Sequence, residues 1–223
     1  MNFSRPIILA SKSPRRRSLL KAIVPSFKTQ TKEVPEDYPN TLKPTAVASF
    51  LAQKKASAFP PQRDGSILVT ADTTVIHENK ILGKPRDESE AREMLSALSG
   101  TVHDVNTGIC LTSHDKQVTF DEVTKVYFQT LTDRVICDYI STFRPFDKAG
   151  AYGIQECIKP GTNLLSDAED QYLRENSLTN FYKEVTAHLS PNPPVFYIDR
   201  IEGYYFNVMG LPIVRLYQEL VKF

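Results

Sequence analysis

The run Ile-Leu-Val-Thr-Ala-Asp-Thr-Thr-Val-Ile at residues 67–76 limits the fold more than any other stretch. It is apolar and β-branched, bounded by polar turns, and its length and composition are those of a buried strand. Asp72 stands in the middle of it. A carboxylate in such surroundings must be hydrogen-bonded, paired with a cation or bound to a metal, because an unpartnered buried charge is costly. An aspartate satisfied by its own turn or by a neighbouring lysine meets that requirement as well as a functional one does, so the rest of the chain has to decide.

Upstream, residues 6–10 read as a short buried strand, and residues 11–20 as a loop entering a helix with Ser13 at the N-cap and Pro14 at the first helical position. Arg15, Arg16 and Arg17 then oppose the helix dipole, whereas an anion at the same place is favoured by free backbone N–H groups and by guanidinium forks. This suits a phosphate site; the alternatives are a solvated basic turn or arginines pairing with acids elsewhere. Residues 27–31 suggest a strand. The acidic, proline-broken loop at 32–39 can carry metal-binding carboxylates or serve as a connector. The helix after Pro44 aligns Val47, Leu51 and Ala58 with Phe50 to one side, but helical spacing does not say whether Lys54 or Lys55 points inward.

Beyond the Asp72 strand, residues 77–80 read as a hairpin turn. Asp87 and Glu90 open a helix whose Ala91, Met94, Leu95 and Leu98 form a core stripe, and Gly100 closes it. Residues 101–112 and 118–128 have the composition of a long antiparallel pair. Residues 132–142 make a helix on Val135, Ile136, Tyr139 and Ile140. The glycines of 147–155 permit close approach of backbone to a ligand. Residues 157–194 are polar with a helical pattern, an insertion, after which 195–201 and 204–208 resume strand character. A last helix follows Gly210-Leu211-Pro212, with Leu216, Leu220 and Val221 as its apolar side.

The formal net charge of +1 removes any general case for a nucleic-acid or membrane-surface protein, so a basic site must be local and its partner a small molecule. Cys110, Cys137 and Cys157 are too few and too scattered for a disulfide framework or zinc pair, which fits a reducing, cytoplasmic compartment. No run approaches the ~20 apolar residues of a membrane span. The four histidines lack metal-ligand spacing, and His103 is expected to be structural.

Several segments, taken together and in order, resemble the Maf family of nucleotide pyrophosphatases. They are residues 9–16 (Leu-Ala-Ser-Lys-Ser-Pro-Arg-Arg), 51–56, Ala71-Asp72-Thr73, Leu82-Gly83-Lys84-Pro85, Leu98-Ser99-Gly100 with His103, 147–155, and Val208-Met209-Gly210-Leu211-Pro212. The resemblance implies an α/β fold with a mixed, elongated central sheet, flanking helices and two lobes around a cleft, related to the inosine-triphosphate pyrophosphatases. It implies one domain over 1–223 with the insertion at 157–194, and a homodimer. The implied reaction is hydrolysis of a nucleoside triphosphate between the α- and β-phosphates, with magnesium or manganese. By position, Asp72 is the acid assigned as general base and Glu36 the second acid, both able to hold the metal. Ser11, Arg16, Lys55 and Lys84 bind phosphates, Lys55 being preferred to Lys54 because Lys55-Ala56 matches the family's segment. Arg15, Thr73 and Gln155 match positions that select the base in the branch acting on deoxythymidine and uridine triphosphates.

The physical logic runs the same way. Arginines, lysines and a metal hold a triphosphate and stabilise charge on the leaving pyrophosphate. Glu36 and Asp72 tolerate that anion only with a cation between them. Three departures from the family stand out: Pro35 beside Glu36, where relatives often have another acid; Glu156 after Gln155, where glycine is usual; and the insertion after it, which can reshape the base pocket or an interface. The alternative reading is a nucleotide-binding regulator of cell division with little turnover. Stable nucleic-acid binding through residues 15–17 is not expected, since no wider basic and aromatic surface accompanies them.

Overall fold

The protein is described by a computed structural model, over residues 3–158, 164–176, 178 and 193–223. The run around Asp72 is strand β3, Ile67–His77. On one side β3 pairs in parallel with β1 (Ile7–Ala10), which pairs in parallel with β2 (Lys28–Gln30). Its C-terminal end turns back through Glu78 and Asn79, both at positive φ as a two-residue type I′ hairpin requires, into β4 (Lys80–Leu82). On the other side β3 pairs antiparallel with β5 (Val102–Thr112), β5 with β6 (Gln117–Phe128), and β6 with β7 (Ile198–Glu202). The result among the described residues is one mixed sheet of seven strands, in the order β2-β1-β3-β5-β6-β7 with β4 beside β3.

This topology leaves a break at Asp72. β5 occupies one edge of β3 from Leu68 to Ile76, so β1 and β4 share the other edge. β1 pairs with residues 67–69 and β4 with residues 75–77. Among the described residues, 70–74 between them have no strand neighbour on that edge, and a cleft opens there.

Strand alternation divides β3 into two faces. Ile67, Val69, Ala71 and Val75 join Val105, Ile109 and Leu111 of β5 in the main core. Against them pack helices α1 (Pro14–Ile23), α3 (Glu88–Leu98), α4 (Asp133–Phe143), α5 (Asp167–Glu175), α6 (Tyr205–Val208) and α7 (Ile213–Lys222). Leu19, Leu20 and Leu95 are fully buried there, each contributing about 2 kcal/mol of apolar burial. Thr70, Asp72 and Thr74 face the opposite side, which α2 (Pro44–Ser57) covers. The Thr70 hydroxyl donates to the Ala52 carbonyl at 2.7 Å and the Asn106 amide to the Thr45 carbonyl at 2.6 Å, fixing the helix to the sheet.

Gly108 lies directly across the strand pair from Asp72. A β-carbon at Gly108 would fall 2.3 Å from the Ser49 backbone nitrogen, so α2 rests on bare strand backbone, which only glycine permits.

The sequence reading is followed with three differences, the first being that Val221 of α7 is 61% exposed, the buried face of that helix being Ile213, Leu216, Tyr217 and Leu220. Residues 204–208 form the short helix α6 and not a strand, because the Tyr204 backbone brackets the Thr124 hydroxyl of β6, its N–H donating at 3.0 Å and its carbonyl accepting at 3.1 Å. This docks the segment onto β6. Ala58 caps α2 and is not on its buried face, which is Val47, Ala48, Leu51, Ala52 and Ala56. Of the segment 157–194, α5 is described, and begins with a reciprocal Ser166–Glu169 capping box; residues 159–163, 177 and 179–192 lie outside the described residues.

Candidate active site

Four charged side chains meet at the break in the sheet. Asp72 is buried, and its Oδ1 accepts a hydrogen bond from the Lys55 ammonium. The same ammonium donates to Glu36 Oε1 at 2.8 Å, and Lys84 donates to Glu36 Oε2 at 3.3 Å. Helix and loop sort their charges in register. Lys54 pairs outward with Asp37 at 2.7 Å, while Lys55, one residue on, turns inward to Glu36 and Asp72. Glu33 leaves the cluster for Lys12 at 2.9 Å, so of the acidic loop it is Glu36 that shares the Lys55 ammonium with Asp72. Burial alone would raise the Glu36 carboxyl, but the hydrogen bonds and charges of Lys55 and Lys84 together hold it below its ordinary value.

Arg16 fills the open edge of β3. Its Nε donates to the Gly210 carbonyl at 2.8 Å, Nη1 to the Ala71 carbonyl at 2.8 Å and Nη2 to the Thr73 hydroxyl at 2.9 Å. It thereby takes up a carbonyl that the missing strand neighbour leaves unpaired. Burial lowers the Arg16 pKa, Asp72 partly opposes this, and the guanidinium stays charged at any physiological pH. The hydroxyl directions beyond it are fixed. Thr107 donates to the Asn207 carbonyl at 2.9 Å, so Thr73 must donate to Thr107, at 2.9 Å, and accept from Arg16.

At the other end of the cleft Arg15 faces Asp147 at 3.7 Å, and Asp147 pairs with Lys148 at 2.8 Å. Lys148 also lies 3.5 Å from Glu156 Oε1, which accepts from the Gln155 amide at 3.2 Å. The second Glu156 oxygen accepts from the Tyr139 hydroxyl, and that hydroxyl accepts from the Gly153 N–H at 2.9 Å. Burial first, then Cys157 and Glu156, pushes the Tyr139 phenol well above its usual range, so it remains a donor.

Asp72, Lys55, Glu36, Lys84, Arg16, Arg15, Asp147, Lys148 and Gln155 line one cleft of about 970 Å³, with Glu156 and Tyr139 behind its lining. Ser11, Arg15, Arg16, Glu36, Lys55, Asp72, Thr73, Lys84 and Gln155 all face it, and Arg17 does not. The structure therefore gathers every residue the sequence reading proposed. Ser11 is buried beside the N-cap, its hydroxyl accepting from the Ser13 N–H at 3.2 Å. His103 is instead a core residue. It is buried edge-on to Phe128 and Tyr152, its Nε2 lies 2.8 Å from the Tyr152 hydroxyl, and desolvation lowers its pKa to about 3.

A family model described as Maf-like protein matches residues 6–172, most of the chain. The chain belongs to the Maf family. It is 38% identical over 215 residues to a dTTP/UTP pyrophosphatase of Flavobacterium johnsoniae, covering 96% of this chain and 93% of that one. A dTTP/UTP pyrophosphatase of Carboxydothermus hydrogenoformans is 41% identical over 216 residues, with 96% of each chain covered. One from Bacillus cytotoxicus is 38% identical over 219 residues, covering 98% of this chain and 96% of that one. Among solved structures, the Staphylococcus aureus Ham1 protein aligns with 55% of this chain and 71% of its own, at 14% identity and a TM-score of 0.39.

Within this Maf protein, the sequence reading missed Thr107, Asn207, Lys148 and Gly108. Thr107 was accessible in principle, because the pairing of β3 with β5 puts it opposite Thr73. Asn207 and Lys148 carry no local signal. Asn207 reaches the site from the far end of the chain, donating to the Val105 carbonyl and the Thr124 hydroxyl, each at 3.0 Å.

Proposed function

We propose that this protein hydrolyses nucleoside triphosphates between the α- and β-phosphates, releasing a monophosphate and pyrophosphate, and that uridine and deoxythymidine triphosphates are its preferred substrates. The observation that carries this is the convergence of Glu36 and Asp72 on the single Lys55 ammonium, in a cleft also lined by Arg15, Arg16 and Lys84. Binding an anion needs only the basic groups; the acidic pair adds the means to activate a nucleophile. The names of the curated relatives support the same reaction and the same bases.

Among the described residues, no group of three or more His, Cys, Asp or Glu side chains converges. Two carboxylates that meet on one ammonium nevertheless suit magnesium or manganese, which are held by one or two carboxylates, with phosphate oxygens and water completing the shell. A divalent ion held by Glu36 and Asp72 would supply positive charge to the triphosphate and lower the pKa of the attacking water. Lys55 and Lys84 bind phosphate oxygens and oppose charge building on the departing pyrophosphate. Asp72 accepts the proton of the water that attacks the α-phosphorus. Arg16, tied to β3 and to Gly210, holds the floor of the phosphate site, with Ser11 beside it. Arg15, Thr73 and Gln155 line the part that takes the base. The same reading has the protein acting as a cytoplasmic homodimer.

The test is incubation with uridine, deoxythymidine, cytidine and guanosine triphosphates plus magnesium or manganese, measuring monophosphate and pyrophosphate. Metal-dependent pyrophosphate release that Asp72→Asn abolishes is the expected result. Nucleotide binding with turnover no higher than that variant's would replace the enzyme with a nucleotide-binding regulator.

A further inference from the structure

Gln155 and Glu156 are adjacent, line the same loop and are joined through their side chains. The Gln155 Nε2 donates to Glu156 Oε1 at 3.2 Å. Gly153 makes room for this pair, since a β-carbon there would lie 2.8 Å from Gln155 Nε2 and 2.9 Å from Glu156 Oε1. Glu156 is buried and held from its other sides by the Tyr139 hydroxyl and by Lys148. Gln155 is half-buried and faces the cleft.

A primary amide offers an N–H on one side and a carbonyl oxygen on the other, and exchanges them by a half-turn of its last torsion. The two pyrimidine edges are mirror images in the same sense. Uracil and thymine present a carbonyl oxygen beside an N–H, and cytosine presents an amino group beside a bare ring nitrogen. For a base held in one frame, a freely turning glutamine reads both edges equally well. One that cannot turn reads a single edge. Glu156 prevents the turn, because a carboxylate accepts and cannot donate. Turning Gln155 would set its carbonyl oxygen against Glu156 Oε1, with no proton between them.

We propose that Glu156 is a positioning residue for base choice. It locks the Gln155 amide in one orientation, so that the pocket accepts uracil or thymine and rejects cytosine. The inference rests on the reading of the cleft as a pyrimidine nucleoside triphosphate site, but it concerns binding and stands apart from the question of turnover.

The test therefore uses non-hydrolysable α,β-methylene uridine and cytidine triphosphates and calorimetric affinities. The wild-type protein is expected to prefer the uridine analogue by about tenfold or more, the discrimination carried by one bidentate base contact. In Glu156→Gln the new amide can face Gln155 with either end, so the preference falls toward unity while the shared triphosphate still binds. In a Gln155→Ala background, Glu156→Gln produces no further change in the ratio. A merely structural role for Glu156 would weaken both analogues equally and leave their ratio intact, which overturns the proposal, as does a wild-type protein without preference. Should Glu156→Gln fail to fold, Glu156→Asp keeps the charge beside Lys148 but withdraws the acceptor from Gln155, and the same fall in ratio is expected. Loss of pyrophosphate release with the analogue ratio preserved would count against the enzymatic reading alone.

Discussion

Gly108→Ala is expected to damage the proposed active site without touching a charged group. The added methyl carbon would sit 2.3 Å from the Ser49 nitrogen, 2.4 Å from the Ala48 carbonyl carbon and 2.5 Å from the Ser49 α-carbon. Ordinary contact begins near 3.4 Å, so α2 must retreat from β5 by about 1 Å, and backbone cannot swing aside as a side chain can. Lys55 lies on the same helix about 9 Å beyond Ser49, and Asp72 lies directly across the strand pair from Gly108. The displacement thus falls on the contact between Lys55, Asp72 and Glu36. A misplacement of about 1 Å in such a constellation costs on the order of a hundredfold in rate. Overpacking also destabilises by about 1–3 kcal/mol. The assay is pyrophosphate release from uridine triphosphate well below the melting transition, with the melt followed by circular dichroism. A variant with wild-type kcat/KM and an unchanged melting midpoint would refute the claim that the seating of α2 on Gly108 positions Lys55.

Two further outcomes follow from the same geometry. Arg16→Lys keeps the charge but a single ammonium cannot span the Gly210 carbonyl, the Ala71 carbonyl and the Thr73 hydroxyl, so chemical denaturation should show a loss of about 3 kcal/mol; unchanged stability would mean that the guanidinium does not hold the open edge of β3. His103 has a folded pKa depressed to about 3, so the unfolded chain binds its proton first as the pH falls below the ordinary 6.5. Its contribution is complete above that value and is lost on acidification toward 3. The loss is about 2 kcal/mol by pH 5. His103→Gln should flatten the dependence of stability on pH in that window, and an identical slope in both proteins would contradict the assignment.

Local chemistry made much of this legible in the sequence. Asp72 announced a partner because a carboxylate in a β-branched run has to have one. The hairpin at 77–80, the caps at Ser13 and Asp87 and the long β5–β6 pair all follow from residues within a turn of one another. Lys55 is different. Periodicity left it level with Lys54, and the structure separates them through two adjacent residues of the acidic loop, Glu36 and Asp37, which take one lysine each. The break between β1 and β4 was not legible at all, since it depends on two strands sharing one edge of a third. Nor was α6, where aromatic residues of strand-like composition were overridden by a long-range contact with Thr124. Glu156 was visible as a charge beside the proposed base pocket, but its hold on the Gln155 amide is a matter of side-chain geometry.

The most direct test of the central claim is hydrolysis of uridine triphosphate in heavy-oxygen water with magnesium, followed by mass spectrometry of both products. Water activated at Asp72 and directed at the α-phosphorus places the label in uridine monophosphate and leaves pyrophosphate unlabelled, with no turnover in Asp72→Asn. Label in the pyrophosphate, or release of orthophosphate in its place, would contradict the arrangement of nucleophile and leaving group assigned to this cleft.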